Sequence, residues 1–92
     1  MMAVLQETEI RQRLESMSGW TFDGSALVRA FTFSDYLAGI RFVERLAREA
    51  ERNNHHPDLE VGYGKVVVRW STHSAGGVTG RDFRLAALTD TL

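Results

Sequence analysis

The sequence predicts an α+β domain: a four-stranded antiparallel sheet with three helices packed on one face, in the order α-β-β-α-β-β-α. Three observations carry this expectation. Asp23-Gly24 lies between two short runs of alternating polarity, the strongest local hairpin signal. Gly64-Lys65 separates a second pair of such runs. Apolar residues at helical spacing precede, separate and follow the two hairpins. Hairpins give antiparallel pairs, and amphipathic helices bury their apolar stripes against one face of the sheet.

Glu7 or Thr8 opens the first helix, which carries Ile10, Leu14 and Met17 and ends at Ser18-Gly19. Trp20-Thr21-Phe22 and residues 25–33 form the first hairpin, with both turn positions of Asp23-Gly24 expected at positive φ. In its second strand Leu27, Arg29, Phe31 and Phe33 share one face. Ser34 is the expected N-cap of a long helix, with Asp35 favourably placed at the positive end of its dipole. Tyr36, Ile40, Val43, Ala47 and Ala50 set its core-facing stripe. Leu37, Phe42 and Leu46 widen the apolar surface, which suits packing against a second subunit. The arginines and glutamates between them read as a solvated face with i, i+4 pairs. Pro57 is expected to stop this helix. Leu59, Val61 and Tyr63 alternate in a third strand, and residues 66–73 form a fourth. On that strand Val66, Val68, Trp70 and Thr72 share one face, and Val67, Arg69, Ser71 and His73 the other. Thr79 with Asp82 three residues on resembles a capping box and starts a last helix carrying Phe83, Leu85, Ala86, Ala87 and Leu88.

Ninety-two residues correspond to one domain, 1–92, with one modest core. A net charge of -1 provides no global basic field for nucleic acid or an anionic membrane. The absence of cysteine excludes disulfides, thiolate metal sites and a cysteine nucleophile. Residues 1–8 lack the basic and apolar segments of a signal peptide, and no run is long enough to span a bilayer. The expectation is a soluble cytoplasmic protein with no membrane partner.

Chemistry concentrates at the three histidines: His55 and His56 in Asn54-His55-His56-Pro57, and His73 in Trp70-Ser71-Thr72-His73-Ser74. Imidazole, with an unperturbed pKa of about 6.5, gives and takes protons near neutrality. On a continuing helix Glu51 and His55, four apart, share a face, so the carboxylate would orient the ring. The following hairpin leads back to His73, which makes a site between the helix end and the strand end reasonable. Other readings stand beside it. Glu51–His55 can be an ordinary surface pair, His55 a partner of the helix dipole, His73 a solvent-facing residue, and Asp82 only a helix-start carboxylate. Three histidines can also hold zinc, although adjacent histidines rarely aim at one ion and no H-x-H or H-x-x-x-H spacing occurs. Ser71 and Ser74 lack a nucleophile elbow. The stretch Gly76-Gly77-Val78-Thr79-Gly80 lacks the P-loop ending and reads as a connection.

The string Glu51-x-x-x-His55-His56-Pro57, then Tyr63, His73 and Asp82, resembles the signature of the pterin-4a-carbinolamine dehydratase family, with every gap in agreement. Gly19-Trp20, Asp23-Gly24 and Phe31-x-Phe33 resemble its first hairpin, and Ser71-Thr72-His73 and Arg81-Asp82 its second half. The resemblance implies an antiparallel sheet backed by three helices and a homodimer or homotetramer. It implies dehydration of 4a-hydroxytetrahydropterin to quinonoid dihydropterin, with no metal or organic cofactor. On the same basis His55 and His73 are the acid–base pair, and Glu51 orients or tunes His55. His56 contacts the pterin beside Pro57. Thr72, Ser74 and Ala75 hold the pterin at the strand end, and Arg81 and Asp82 support His73 or the substrate rim. Trp20 and Tyr63 are candidate pocket walls, although core packing explains either equally well. Some relatives also bind a transcription factor. That gives a second reading, a dimerisation or coactivator-type interaction module acting through protein contact and not through nucleic acid.

Overall fold

The computed structural model describes residues 3–92; of the N-terminal segment read above, Met1 and Met2 lie outside the described residues. The element order is α1 (Glu7–Leu14), β1 (Thr21–Phe22), β2 (Leu27–Thr32), α2 (Tyr36–Asn53), β3 (Asp58–Val61), β4 (Lys65–Trp70), a short 3-10 turn (His73–Ala75) and α3 (Gly80–Thr89). The expected architecture is present. The strands form one antiparallel sheet in the order β1-β2-β4-β3, so β2 and β4 are its centre and join the two hairpins.

Alternation along the strands decides which face is covered. Leu27 of β2 and Val66, Val68 and Trp70 of β4 are buried, whereas Ala30 and Thr32 on the other face are exposed. Ile10 of α1, Phe42, Leu46 and Ala50 of α2, and Phe83, Leu85 and Ala86 of α3 complete the same core. Phe31 and Phe33 meet Phe42 with ring centroids 4.8 and 5.2 Å apart.

Several local expectations are corrected. Helix α1 ends at Leu14, before Met17. Its exit tightens into i→i−3 hydrogen bonds at Glu15, Ser16 and Met17, and the Ser16 hydroxyl also bonds back to the Arg13 carbonyl at 3.1 Å. The first hairpin turn is four residues wide, because Phe22 pairs with Leu27. Gly24 has a φ of +101°, but Asp23 is not left-handed. Instead Asp23 Oδ1 accepts the N–H groups of Ser25 (2.9 Å) and Ala26 (2.8 Å), so the side chain shapes the turn. The N-cap of α2 is Asp35, not Ser34; its carboxylate accepts the Ala38 N–H at 2.8 Å. The buried stripe of α2 is Gly39, Phe42, Leu46 and Ala50. Tyr36 and Ala47 are exposed, because the Phe31 and Phe33 rings draw Phe42 to the centre. A β-carbon at Gly39 would already lie 3.4 Å from the Phe33 ring, so a larger residue there would push α2 off the sheet.

Two more corrections concern the site directly. Pro57 does not stop α2. Asn54 does, by taking the left-handed conformation (φ +49°, ψ +44°). The His55 N–H then bonds to the Ala50 carbonyl at 3.1 Å and the Asn54 N–H to Glu51 at 3.2 Å, a Schellman-type ending. Strand β4 stops at Trp70, and His73 sits on the 3-10 turn beyond it, closed by a bridge between Thr72 and Gly77. The capping box at α3 is present: Thr79 accepts from the first helical turn, and Asp82 Oδ2 accepts the Thr79 N–H at 2.9 Å. Among the described residues no helix is long and apolar enough to cross a membrane.

Candidate active site

A cleft of about 480 Å³ opens where the C-terminal end of α2, the end of β4 and the first turn of α3 converge. Asn54, His55, His56, Pro57 and Asp58 form one wall. Ser71, Thr72, His73 and Ser74 form a second, and Arg81 closes it from α3. All three histidines therefore meet at one cleft, as the spacing suggested.

Their environments differ sharply. The left-handed turn at Asn54 ends the helical phase, so consecutive residues no longer advance along the α2 face. His55 swings inward and is 7% exposed. Its Nε2 lies 2.6 Å from Oδ1 of Asp82, which is fully buried. Its ring stacks on Trp70 at a centroid distance of 5.5 Å and an interplanar angle of 13°. Asp82 Oδ2 accepts the Thr72 hydroxyl at 2.7 Å and the Thr79 N–H, so the carboxylate is fixed from three directions. Thr72 Oγ1 also lies 2.9 Å from Thr79 Oγ1. Among the described residues no buried side-chain nitrogen or oxygen lacks a hydrogen-bond partner, and none of those residues bonds to Nδ1 of His55. Nδ1 is thus the ring nitrogen that meets the solvent of the cleft.

His56 points outward and pairs with Glu51, both of them largely exposed. Glu51 therefore does not orient His55. Glu51 and His55 would share a face only on a helix that continued to residue 55, and the chain leaves the helix at Asn54. Asp82 stands against His55 and not against His73, which is exposed on its 3-10 turn. Arg81 Nη2 donates to the carbonyls of Asn53 (2.7 Å) and Asn54 (2.8 Å). Ala75 belongs to the 3-10 turn but does not line the cleft. Trp20 is core, with its indole N–H on Asp90 at 3.0 Å, and Tyr63 is 78% exposed and stacked on Tyr36. Neither Trp20 nor Tyr63 reaches the cleft. Sequence reasoning gave no place to Asn54 and Asp58, which do line it. The visible signal was the Asn53-Asn54 pair, since asparagine is the commonest residue after glycine to take the left-handed conformation.

Among the described residues no three histidine, cysteine or carboxylate side chains cluster in a way that could hold a metal ion. The cleft offers one imidazole backed by a buried carboxylate, two exposed imidazoles, and hydroxyl groups. Carboxylate-backed imidazole fixes a tautomer and stabilises the imidazolium that forms when the ring takes a proton.

Fold and cleft together define a small α+β domain whose three histidines line one cleft. The chain matches the Pterin 4 alpha carbinolamine dehydratase family over residues 3–92, and it belongs to that family. A relative from Nostoc sp. (strain PCC 7120), provisionally named pterin-4-alpha-carbinolamine dehydratase, is 44% identical over 95% of this chain and 94% of its own. One from Roseiflexus castenholzii, named in the same way, is 42% identical over 98% and 97%. A crystal structure described as a transcriptional coactivator/pterin dehydratase from Brucella melitensis superposes with a TM-score of 0.88 at 34% identity, over 96% of both chains.

Proposed function

We propose that this protein dehydrates a 4a-hydroxytetrahydropterin to the quinonoid dihydropterin and water, by histidine acid–base catalysis. In this reaction the C4a–O bond breaks with proton delivery to the departing hydroxide. A proton leaves N5 as the C4a=N5 double bond forms, and no other reactant is consumed. The observation that carries the reading is the His55–Asp82 bond. With Nε2–H donated to Asp82, Nδ1 presents a lone pair to the cleft, so His55 takes the N5 proton and Asp82 stabilises the resulting imidazolium. His73, open to solvent across the cleft, protonates the leaving hydroxide; His55 then returns its proton to solvent and His73 takes one back, so both rings are restored with one water released. General acid–base assistance of this kind contributes about 10²–10⁴-fold per group. His56, Thr72 and Ser74 contact the pterin in this reading, which their place on the cleft wall and membership in the family support.

The test is dehydration of a freshly generated 4a-carbinolamine pterin followed by ultraviolet absorbance. The wild-type protein should accelerate it, and the His55→Ala/His73→Ala double variant should fall to the uncatalysed rate. Equal rates for the two would refute the reading.

The same proposal includes self-association. Leu37 (61% exposed), Tyr36 and Tyr63 form an uncovered apolar flank on α2 and the β3–β4 turn, which supports a homodimer or homotetramer. Light scattering should give a multiple of 10.4 kDa, and Leu37→Glu should lower it.

A further inference from the structure

We infer that Arg81 is a positioning residue for His55: it holds the backbone turn that carries the imidazole to Asp82. The kinetic part of this inference rests on the dehydratase reading, whereas the structural part does not.

The geometry is a two-point grip. Asn54 is the one non-glycine residue with positive φ among those described, a conformation that the chain adopts only when its surroundings support it. The turn exposes the carbonyls at the end of α2, which have no partner within the helix and sit at its negative end. Arg81 Nη2 donates to two of them, those of Asn53 and Asn54, at 2.7 and 2.8 Å. The next residue in the chain, Asp82, holds the His55 ring at 2.6 Å. Arg81 and Asp82 sit in the first turn of α3, where the Thr79 hydroxyl accepts the Arg81 N–H at 3.2 Å and Asp82 accepts the Thr79 N–H. One rigid turn therefore fixes both the main chain on the N-terminal side of His55 and its side chain. A cation suits the negative helix end. The one Nη2 of Arg81 serves both carbonyls, and the guanidinium brings a permanent positive charge that a carboxamide of similar reach lacks.

Arg81 lines the cleft, so a direct contact with substrate is the competing role. The two roles differ in what they disturb. If Arg81 acts through His55, its loss lets the turn relax and Nε2 drift from Asp82. The chemical step then slows, because misplacement by about 1 Å costs about 10²-fold. If Arg81 binds substrate, its loss weakens binding and leaves the His55 ring as it was.

The experiment compares wild-type protein with Arg81→Gln and Arg81→Lys, each labelled with ¹⁵N-histidine. His55 is assigned by its absence in His55→Gln. In wild-type protein the His55 ring nitrogens should show one fixed tautomer, protonated at Nε2. In folded Arg81→Gln they should move towards the averaged pattern of the exposed His56 and His73. In the turnover assay kcat should fall about 10- to 100-fold with KM within about twofold, and Arg81→Lys should recover part of kcat. If Arg81→Gln does not fold, it is measured with Asn54→Gly, which lowers the cost of the left-handed turn. An unchanged His55 signal in the folded variant overturns the inference, and so does a raised KM at unchanged kcat. A protein with no dehydratase activity whose His55 signal still responds to Arg81→Gln refutes the proposed reaction and leaves the grip standing.

Discussion

Asp82→Ala is the most informative single substitution. Asp82 has no exposed surface, and its carboxylate accepts three hydrogen bonds, from His55 Nε2, Thr72 Oγ1 and Thr79 N, at 2.6, 2.7 and 2.9 Å. Each hydrogen bond to a charged acceptor contributes about 1.5–3 kcal/mol. Against their sum stands the cost of burying a carboxylate, several kcal/mol. Truncation leaves three buried donors without this acceptor, at about 1–3 kcal/mol each, while the carboxylate's burial cost is recovered, so the net loss should be about 3–5 kcal/mol. A domain of 92 residues has about 5–14 kcal/mol in total, so the variant should fold but stand near the edge of stability. At about 4–8 °C per kcal/mol its Tm should drop by about 12–40 °C. Asp82→Asn retains one oxygen acceptor and the side-chain volume, so it should lose less, about 1–3 kcal/mol. Urea denaturation followed by circular dichroism measures both. An Asp82→Ala variant within about 1 kcal/mol of wild type would refute the account of this network, because the three bonds would then contribute nothing net.

Leu46→Ala should cost about 2–5 kcal/mol by opening a cavity between α2 and the sheet, read as a lower urea midpoint at unchanged slope. Gly19→Ala should lower the Tm for two reasons: φ is +93°, and the new β-carbon would sit 2.7 Å from the Arg29 guanidinium carbon, displacing it from Asp90. Asp23 has its carboxyl held below its ordinary 3.8, first by the Ser25 N–H and further by Ala26 and Arg69. Its folded pKa is depressed, so its contribution is fully present well above pH 3.8 and is lost as pH falls through the folded value. Asp23→Asn should thus be less stable than wild type at pH 7, and the gap should close as the solution is acidified below about pH 4, by thermal melts across that range.

The fold was legible because each element announced itself locally. The two hairpins needed only turn residues and alternation, and Thr79 with Asp82 named its own helix start. The strand order was not legible, because the pairing of β2 with β4 is non-local and leaves no mark at short range. The histidines were legible as a group, yet their partners were not. Extending α2 by two residues aligned Glu51 with His55, whereas a single left-handed residue turned that ring to Asp82, 27 positions away. The stripe on α2 failed for a related reason. Tyr36 and Ala47 have the spacing of core residues, but the rings of Phe31 and Phe33 select the neighbouring stripe. Periodicity identifies an amphipathic helix more securely than it identifies the residue at the centre of its buried face.

The turn at Asn54 also sets where this chain tolerates a change of length. His55 and His56 are neighbours in sequence, yet one is enclosed against Asp82 and the other stands in solvent with Glu51. Inserting or deleting one residue at 53–54 shifts the phase with which the chain leaves α2 and puts the wrong imidazole, or none, against the carboxylate. Residues 15–18 do not line the cleft, and a length change there disturbs Met17 against the core and the Arg29 bond to the Ser18 carbonyl but not the register of the histidines. Segments of similar appearance on the surface are thus unequal: one acts as a spacer, and the other as a counting device whose register decides which histidine is the buried one.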